Sequence, residues 1–385
     1  RTVAAALCVP AGLQWEKDET AGLAGVVCEM IQRGCGSLDA RQVVAAQDNL
    51  GIEFTSNVTT GFSLVGGTMP AASLHSGLRL FSMMMRQPMM PEDQFDESIM
   101  VALQELHAVK DEPTQQVMNR LRDMQYGSQL GRNPLGTMET VSNLRYADVG
   151  DYYQQNYGPR AAMLAVAGQF DWKQCIDVVA ETMGDWKPQD IGEAPIAGGA
   201  VGYEHIAQET SQTHIGFSFP CVPVSHPDYF SLRGGVGILS DGMSSRLFDR
   251  VREQRGLCYT VSAGVHSLKE SAAVFGYAGT TPQRAQETLD VTLHEIRSLC
   301  DDLSNEELDR LKVRMQSNLI MEQESSGAKA GGLINDWYHL GRVMTNQEIQ
   351  QRIEALTIED IASYWSQRPP QDFRVVTLGP ESLRV

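Results

Sequence analysis

The sequence predicts an α+β protein made of two copies of one α/β-sandwich unit, each a sheet covered by helices. Three observations lead there. Short stretches with strand periodicity alternate with amphipathic helical stretches along the whole chain. Gly67-Thr68-Met69-Pro70 recurs as Gly279-Thr280-Thr281-Pro282, and Leu144, Asp148 and Tyr152 recur as Leu356, Asp360 and Tyr364, both at an offset of 212 residues. One offset at two distant places indicates duplication of a unit within the usual domain size. Finally, Lys187 to Gly202 collects Pro188, Pro195, Gly192, Gly198, Gly199 and Gly202, with Gly184 just upstream. That stretch reads as a linker and divides the chain into a domain 1–186, a linker 187–202 and a domain 203–385.

In the first half, Val3 to Pro10 reads as a strand with its turn at Ala11-Gly12. Leu23, Val26, Val27 and Met30 form an apolar stripe, so a helix is expected from Ala21 to Arg33, with Thr20 as N-cap and Gly34 as its stop. A second helix covers Asp39 to Asn49, and strands follow at Ile52 to Thr59 and Phe62 to Thr68. Helices are expected over Pro70 to Arg86 and Pro91 to Val109, the latter opened by Pro91, Glu92 and Asp93. Pro113 ends that run. Gln115 to Tyr126 and Val141 to Tyr157 are helical, Ala161 to Ala167 is a buried strand, and Trp172 to Met183 is a helix. The second half repeats the plan. His214 to Phe219, Ala272 to Gly279 and Phe373 to Leu378 read as strands. Tyr229 to Leu239, Pro282 to Cys300, Ser304 to Gln323, Ala328 to Gly341, Thr345 to Ala355 and Ile358 to Gln367 read as helices.

The chain has 385 residues, 42% of them hydrophobic and 21% charged, the composition of a soluble globular protein. A formal net charge of −17 argues against nucleic acid or an anionic membrane as the main partner, since both require basic surfaces. No apolar run approaches the roughly 20 residues of a membrane span. The seven cysteines contain no CxxC pair and sit among apolar neighbours, which points to a reducing, cytoplasmic address. The start at Arg1, without Met and inside an apolar stretch, is expected of a trimmed product, which leaves a periplasmic or organellar address open.

The rest of the chain is organised around Ser240 to Gly264, SDGMSSRLFDRVREQRGLCYTVSAG. Met243, Leu247, Phe248 and Val251 form one helical face, and Gly256 stands where a helix end takes positive φ. Leu257, Tyr259 and Val261 then alternate with polar residues as in a strand. Arg252 lies in the last helical turn and Tyr259 at the strand's start, so one turn presents a guanidinium and a phenol. Such donors stabilise an oxyanion, often the largest single effect in acyl-transfer catalysis. On general grounds an Arg near a helix C-terminus is a solvated residue and a strand Tyr is packing.

The run GMSSRLFDRVREQRGLCYTVSA resembles the second-half signature of the M16 zinc peptidases, the pitrilysin and mitochondrial-processing-peptidase family. The resemblance covers almost the whole chain. It implies that Arg252 and Tyr259 contact the scissile carbonyl. It also implies a zinc motif, His-x-x-Glu-His, on the first helix of the first half, and a further Glu ligand on a later helix. The corresponding run here is Gly22-Leu23-Ala24-Gly25-Val26-Val27-Cys28-Glu29-Met30. Gly25 and Glu29 stand at the two His positions, Cys28 at that of the base, and Glu105 remains as the distant Glu. Carboxylates alone do not reproduce a neutral-imidazole site that activates water, so no metal and no cofactor is expected in this chain. The eight histidines contain no i, i+4 pair, and Cys28 has no His at a telling spacing, which argues against it as a nucleophile. No GxGxxG, Walker A, GxSxG or EF-hand pattern is present.

The resemblance implies a non-metal-binding subunit of a heterodimeric metallopeptidase. Arg252 and Tyr259 would act at the zinc of a partner subunit bearing His-x-x-Glu-His, and the two chains would enclose a peptide chamber. The alternative is an inactive scaffold or peptide-binding protein, with an extended peptide on the edge of Ile52 to Thr59 or Phe62 to Thr68. An independent hydrolase has the least support, because no nucleophile–base pair or metal cluster is recommended by spacing.

Overall fold

A computed structural model of the chain describes residues 2–190, 192, 193, 196 and 198–385; Pro195 of the expected linker lies outside them. The first half runs β1 (Thr2–Val9), α1 (Leu23–Met30), the two-residue strands β2 (Gly34–Cys35) and β3 (Leu38–Asp39), α2 (Ala40–Leu50), β4 (Glu53–Val58), β5 (Ser63–Pro70), α3 (Leu74–Arg86), α4 (Phe95–Lys110), α5 (Pro113–Leu130), α6 (Met138–Ser142), α7 (Tyr146–Asn156), β6 (Met163–Gly168) and α8 (Trp172–Met183). The second half runs β7 (Gly202–Ala207), β8 (Thr213–Cys221), α9 (Tyr229–Ser240), a π-helix (Leu247–Glu253), β9 (Cys258–Ser267), β10 (Ala272–Thr280), α10 (Ala285–Arg297), α11 (Asn305–Glu322), α12 (Ser326–Leu340), α13 (Asn346–Ala355), α14 (Ile358–Gln367) and β11 (Arg374–Gly379). The expected mixed fold of helix-covered sheets is what the chain adopts. α4 ends at Lys110, ahead of Pro113 as expected, and Pro113 then opens α5 from its first position, where its missing N–H costs nothing.

The two sheets have matching strand orders, β4-β5-β1-β6 and β9-β10-β8-β11, the second extended by β7. β7 lies parallel to β11 at the sheet edge. Its residues are all partly exposed except Ala207, so it carries no hydrophobic alternation that would announce a strand. β5 pairs with both β1 and β4 and is therefore interior; of the two peptide-accepting edges expected from sequence, only β4 is an edge.

Each compact unit contains a helix from the other half of the sequence. One unit comprises Arg1–Ala108, Arg132–Ile196 and Glu322–Tyr338; the other comprises Val109–Gly131, Ala197–Met321 and His339–Val385. The units thus differ from a contiguous division at 187–202 by the exchange of α5 and most of α12. β1 shows why the exchange is needed. Val3, Ala5, Leu7 and Val9 point into the core beneath α1 and α3. Ala4, Ala6 and Cys8 point to the opposite face, where Ala165 and Ala167 of β6 join them and Ala330 and Ile334 of α12 cover them. Small residues let that helix come close to the sheet. In the second unit Val117 and Leu121 of α5 cover Val376 and Leu378 of β11. Gly216 of β8 makes room for the same helix, since a Cβ there would lie 2.5 Å from Val117 Cγ1. The Tyr126 hydroxyl on α5 donates to the His266 carbonyl of β9 at 2.9 Å.

Because α12 closes the outer face of the first sheet, Ile334→Ala is expected to cost about 2–5 kcal/mol, the range for buried large-to-small changes. The loss should appear as faster amide hydrogen exchange in β1 and β6, far away in sequence. Faster exchange confined to β8 and β11 would contradict the exchanged-helix arrangement.

Candidate functional site

The stretch singled out in the sequence forms a turn with two irregularities, and both act on the residues of interest. Residues Leu247–Glu253 are wound as a π-helix rather than the expected α-helix. Its wide turn is marked by the Gln254 N–H donating to the Asp249 carbonyl at 2.8 Å, five residues back. Leu247 and Val251 are buried, whereas Met243, expected on the same apolar face, is 79% exposed because it precedes the helix. Gly256 has φ +59 and ends the element as expected. The Leu257 N–H then returns to the Val251 carbonyl at 3.1 Å, a six-residue closure of the helix end.

The second irregularity is in β9. Thr280 pairs with Cys258 and Gly279 with Thr260, so Tyr259 is an extra, unpaired residue in the ladder. A bulge re-aims the side chain it carries. Leu257 is buried, but Tyr259 is 69% exposed, which breaks the simple alternation expected of Leu257, Tyr259 and Val261. The Arg252 guanidinium is also exposed; it stacks 4.5 Å from the Phe248 ring centroid and its Nε lies 3.4 Å from Glu253. Among the described residues, neither the Arg252 Nη groups nor the Tyr259 hydroxyl has a hydrogen-bond partner. The free donors of both residues therefore face solvent on one turn of the second unit.

That turn is anchored by a residue that sequence reasoning missed. Arg246, whose side chain is only 2% exposed, spreads its guanidinium over four acceptors. Its Nε and Nη2 bond Glu307 at 2.6 and 2.9 Å, and its Nη1 bonds Asp302 at 2.6 Å. Two backbone carbonyls, Leu299 and Asp302, each accept at 3.0 Å. Arg250 adds bonds to Glu295 at 2.8 Å and Asp302 at 2.7 Å. The carboxyls of Glu307 and Asp302 are held below their usual range although burial pushes them up; for Asp302 the Arg250 and Arg246 guanidiniums do this, for Glu307 Arg246 and Ser304. Within SSRLFDRVRE only the burial of Arg246 separates it from the exposed Arg252, and spacing does not report burial.

In the first unit, α1 is the helix on which the resemblance implies the zinc motif. α1 begins at Leu23, and its N-cap is Gly22 at φ +96, not Thr20. The capping acceptor is remote: Glu16 Oε1 takes the Ala24 and Gly22 N–H groups at 2.7 and 3.2 Å. Burial pushes the Glu16 carboxyl up to about 7, against those bonds and the nearby Arg132. Along α1, Gly25 offers no side chain. Cys28 is buried; burial pushes its thiol up, although the Ser63 and Ser56 hydroxyls bond it. Glu29 is occupied, paired with Arg33 at 2.8 Å and accepting from Ser98 of α4. Arg33 continues to Glu97 at 2.9 Å. Glu105 is exposed, and no hydrogen bond or ion pair links it to Glu29. Where a divalent cation would need free ligands, an internal guanidinium already neutralises the carboxylate. These residues do not fit a zinc ion. Among the described residues no group of three or more His, Cys, Asp or Glu is arranged to hold a metal.

The fold is that of a two-unit, duplicated α+β protein of the peptidase M16 type. The model described as "Insulinase (Peptidase family M16)" matches residues 1–138, and the one described as "Peptidase M16 inactive domain" matches residues 143–315. The chain belongs to the M16 peptidase family. A Bacillus subtilis protein named "Uncharacterized zinc protease YmxG" is 24% identical over 99% of this chain and 93% of its own length. The Streptomyces coelicolor "Uncharacterized zinc protease SCO5738" is 24% identical over 90% of this chain and 78% of its own. Among solved structures, the peptidase M16 inactive domain from Pseudomonas fluorescens superposes with a TM-score of 0.91 at 18% identity, covering 100% of this chain and 94% of that one. A protease from Helicobacter pylori gives 0.90 at 18% identity, with 98% and 94% coverage. No helix among the described residues is long and apolar enough to cross a membrane.

Removing Arg246 leaves Glu307 and Asp302 without their buried cation. Arg246→Ala is expected to destabilise the second unit by about 3–5 kcal/mol, the cost of breaking a buried pair from one side. Thermal unfolding followed by circular dichroism checks this, and a melting temperature unchanged from wild type would refute the anchoring role.

Proposed function

We propose that this chain is the non-metal-binding subunit of a two-chain M16-type metallopeptidase. In this reading Arg252 and Tyr259 reach the zinc site of a partner subunit bearing His-x-x-Glu-His. There their donors would stabilise the negative charge that develops on the scissile carbonyl oxygen, and the partner's zinc would supply the activation of water. The observation that carries the proposal is a contrast within the chain. On the second unit, the Arg252 Nη groups and the Tyr259 hydroxyl are exposed and unpartnered on a turn anchored by Arg246. On the first, Gly25, Cys28 and Glu29 present no imidazole, and Glu29 is already paired with Arg33. Donors placed in advance for a developing negative charge accelerate acyl transfer; an exposed turn serving only packing has no need to leave them free. The substrate is an extended peptide, for which the free edge of β4 offers backbone pairing. Zinc belongs to the partner, and this chain requires no cofactor of its own.

The test is a mixed complex with a His-x-x-Glu-His subunit, assayed on a fluorogenic peptide. Arg252→Ala and Tyr259→Phe should each lower turnover about a hundred- to a thousandfold, the usual cost of losing one oxyanion donor. Sedimentation should show the heterodimer intact. Wild-type turnover in both variants would favour the scaffold or peptide-binding reading instead.

A further inference from the structure

The duplication continues through α1 and α9. Gly22, Gly25, Cys28 and Glu29 stand 212 residues before Gly234, Gly237, Ser240 and Asp241. On the facing helices, Ser98 and Ala102 of α4 correspond in the same way to Arg310 and Arg314 of α11. In the first unit this corner is filled, because the Glu29 carboxylate lies between Arg33 and Ser98. In the second unit the same corner is a half-open cavity of about 150 Å³, lined by Ile238, Leu311, Asp241, Gly242, Arg310 and Arg314 among others.

The charges around that cavity are paired with one exception. Asp241 lies 3.8 Å from Arg233. Glu307 is bonded by Arg246, and Arg310 is paired with Glu306 at 2.5 Å. Arg314 has no hydrogen bond or ion pair among the described residues. Its guanidinium lies against the backbone of Gly242, where an added Cβ would come within 2.6 Å of Nη1. Gly242 also has φ +101, a conformation that side chains resist. The loop is fixed on both sides of that glycine. The Ser245 hydroxyl donates to the Gly242 carbonyl at 2.7 Å, and the Ser240 hydroxyl accepts from Ala263 of β9 at 2.7 Å.

We propose that this cavity binds a carboxylate carried on a small apolar group, with Arg314 as its main anchor. The carboxylate lies beside Arg314, which stands at the position of Ala102 in the first unit, in the corner that Glu29 closes there. The planar fork of Arg314 matches two carboxylate oxygens. Ile238 and Leu311 receive the apolar part, and a cavity of about 150 Å³ suits a group about the size of benzene. Such a carboxylate comes either from a peptide C-terminus or from a free short-chain acid. The inference is independent of any catalytic role for Arg252 and Tyr259.

Isothermal titration of the full chain with three probes tests it: N-acetyl-Leu-Leu as the free acid, the same peptide as its C-terminal amide, and 4-methylpentanoate. Saturable binding of at least one acid is expected, with the amide weaker by about tenfold or more, as the loss of a charge-assisted pair implies. Tighter binding of the peptide acid than of 4-methylpentanoate identifies a peptide terminus, and equal or tighter binding of 4-methylpentanoate a free acid. Arg314→Ala should weaken binding about tenfold or more, and Arg314→Lys should restore part of it. Arg314 is exposed, so melting curves should remain at the wild-type value. Absence of saturable binding by both acids, an amide that binds as well as the acid, or Arg314→Ala binding like wild type would each overturn the proposal.

Discussion

A single buried guanidinium determines what the second unit presents to solvent. Arg246 has four acceptors and almost no contact with water, so its position admits little freedom. A buried cation is tolerated only when paired and hydrogen-bonded throughout, and Asp302, just before α11, and Glu307, in its first turn, supply that pairing. With Arg246 held inward and Leu247 and Val251 in the core, the π-helix has one orientation. Arg252 is turned outward, and the bulge at Tyr259 turns the phenol outward as well. The exposed pair depends on the buried one.

The duplicated halves use the same helix-pair corner for different ends. Where α1 meets α4, a carboxylate, a guanidinium and a serine hydroxyl close the space internally. Where α9 approaches α11, the serine position is an arginine and the acid is near Arg233 instead, which leaves a cavity and an unpaired cation. Small changes of side chain on one backbone plan have thus produced a closed corner and an open one. The exchange of α5 and α12 complements this divergence, since each sheet needs a helix encoded in the other half to cover its outer face.

Much of this fold was legible in the sequence, for identifiable reasons. The strands and long helices follow from periodicity, and the offset of Gly67 and Gly279 disclosed the repeat. β7 escaped notice because its partly exposed edge residues do not alternate. The helix exchange was hidden because the alanines of β1 record only that something lies close, not which segment. Of the candidate site, Arg252 and Tyr259 were found through resemblance. Their exposure depends on a π-helix and a bulge, which are register effects that a periodic reading averages away. Arg246 and the remote cap from Glu16 depend on contacts across many residues, and no local pattern contains them.

The proposed reading of the free donors of the second unit and the occupied corner of the first is that they form the metal-free half of a two-chain catalytic centre. Zinc content measured by plasma mass spectrometry, with peptide hydrolysis followed on the same samples, tests this most directly. The chain purified alone should hold far less than stoichiometric zinc and cleave nothing, and hydrolysis should arise only on mixing with a subunit that carries His-x-x-Glu-His. One zinc ion per isolated chain, with cleavage in the absence of any companion, would contradict it.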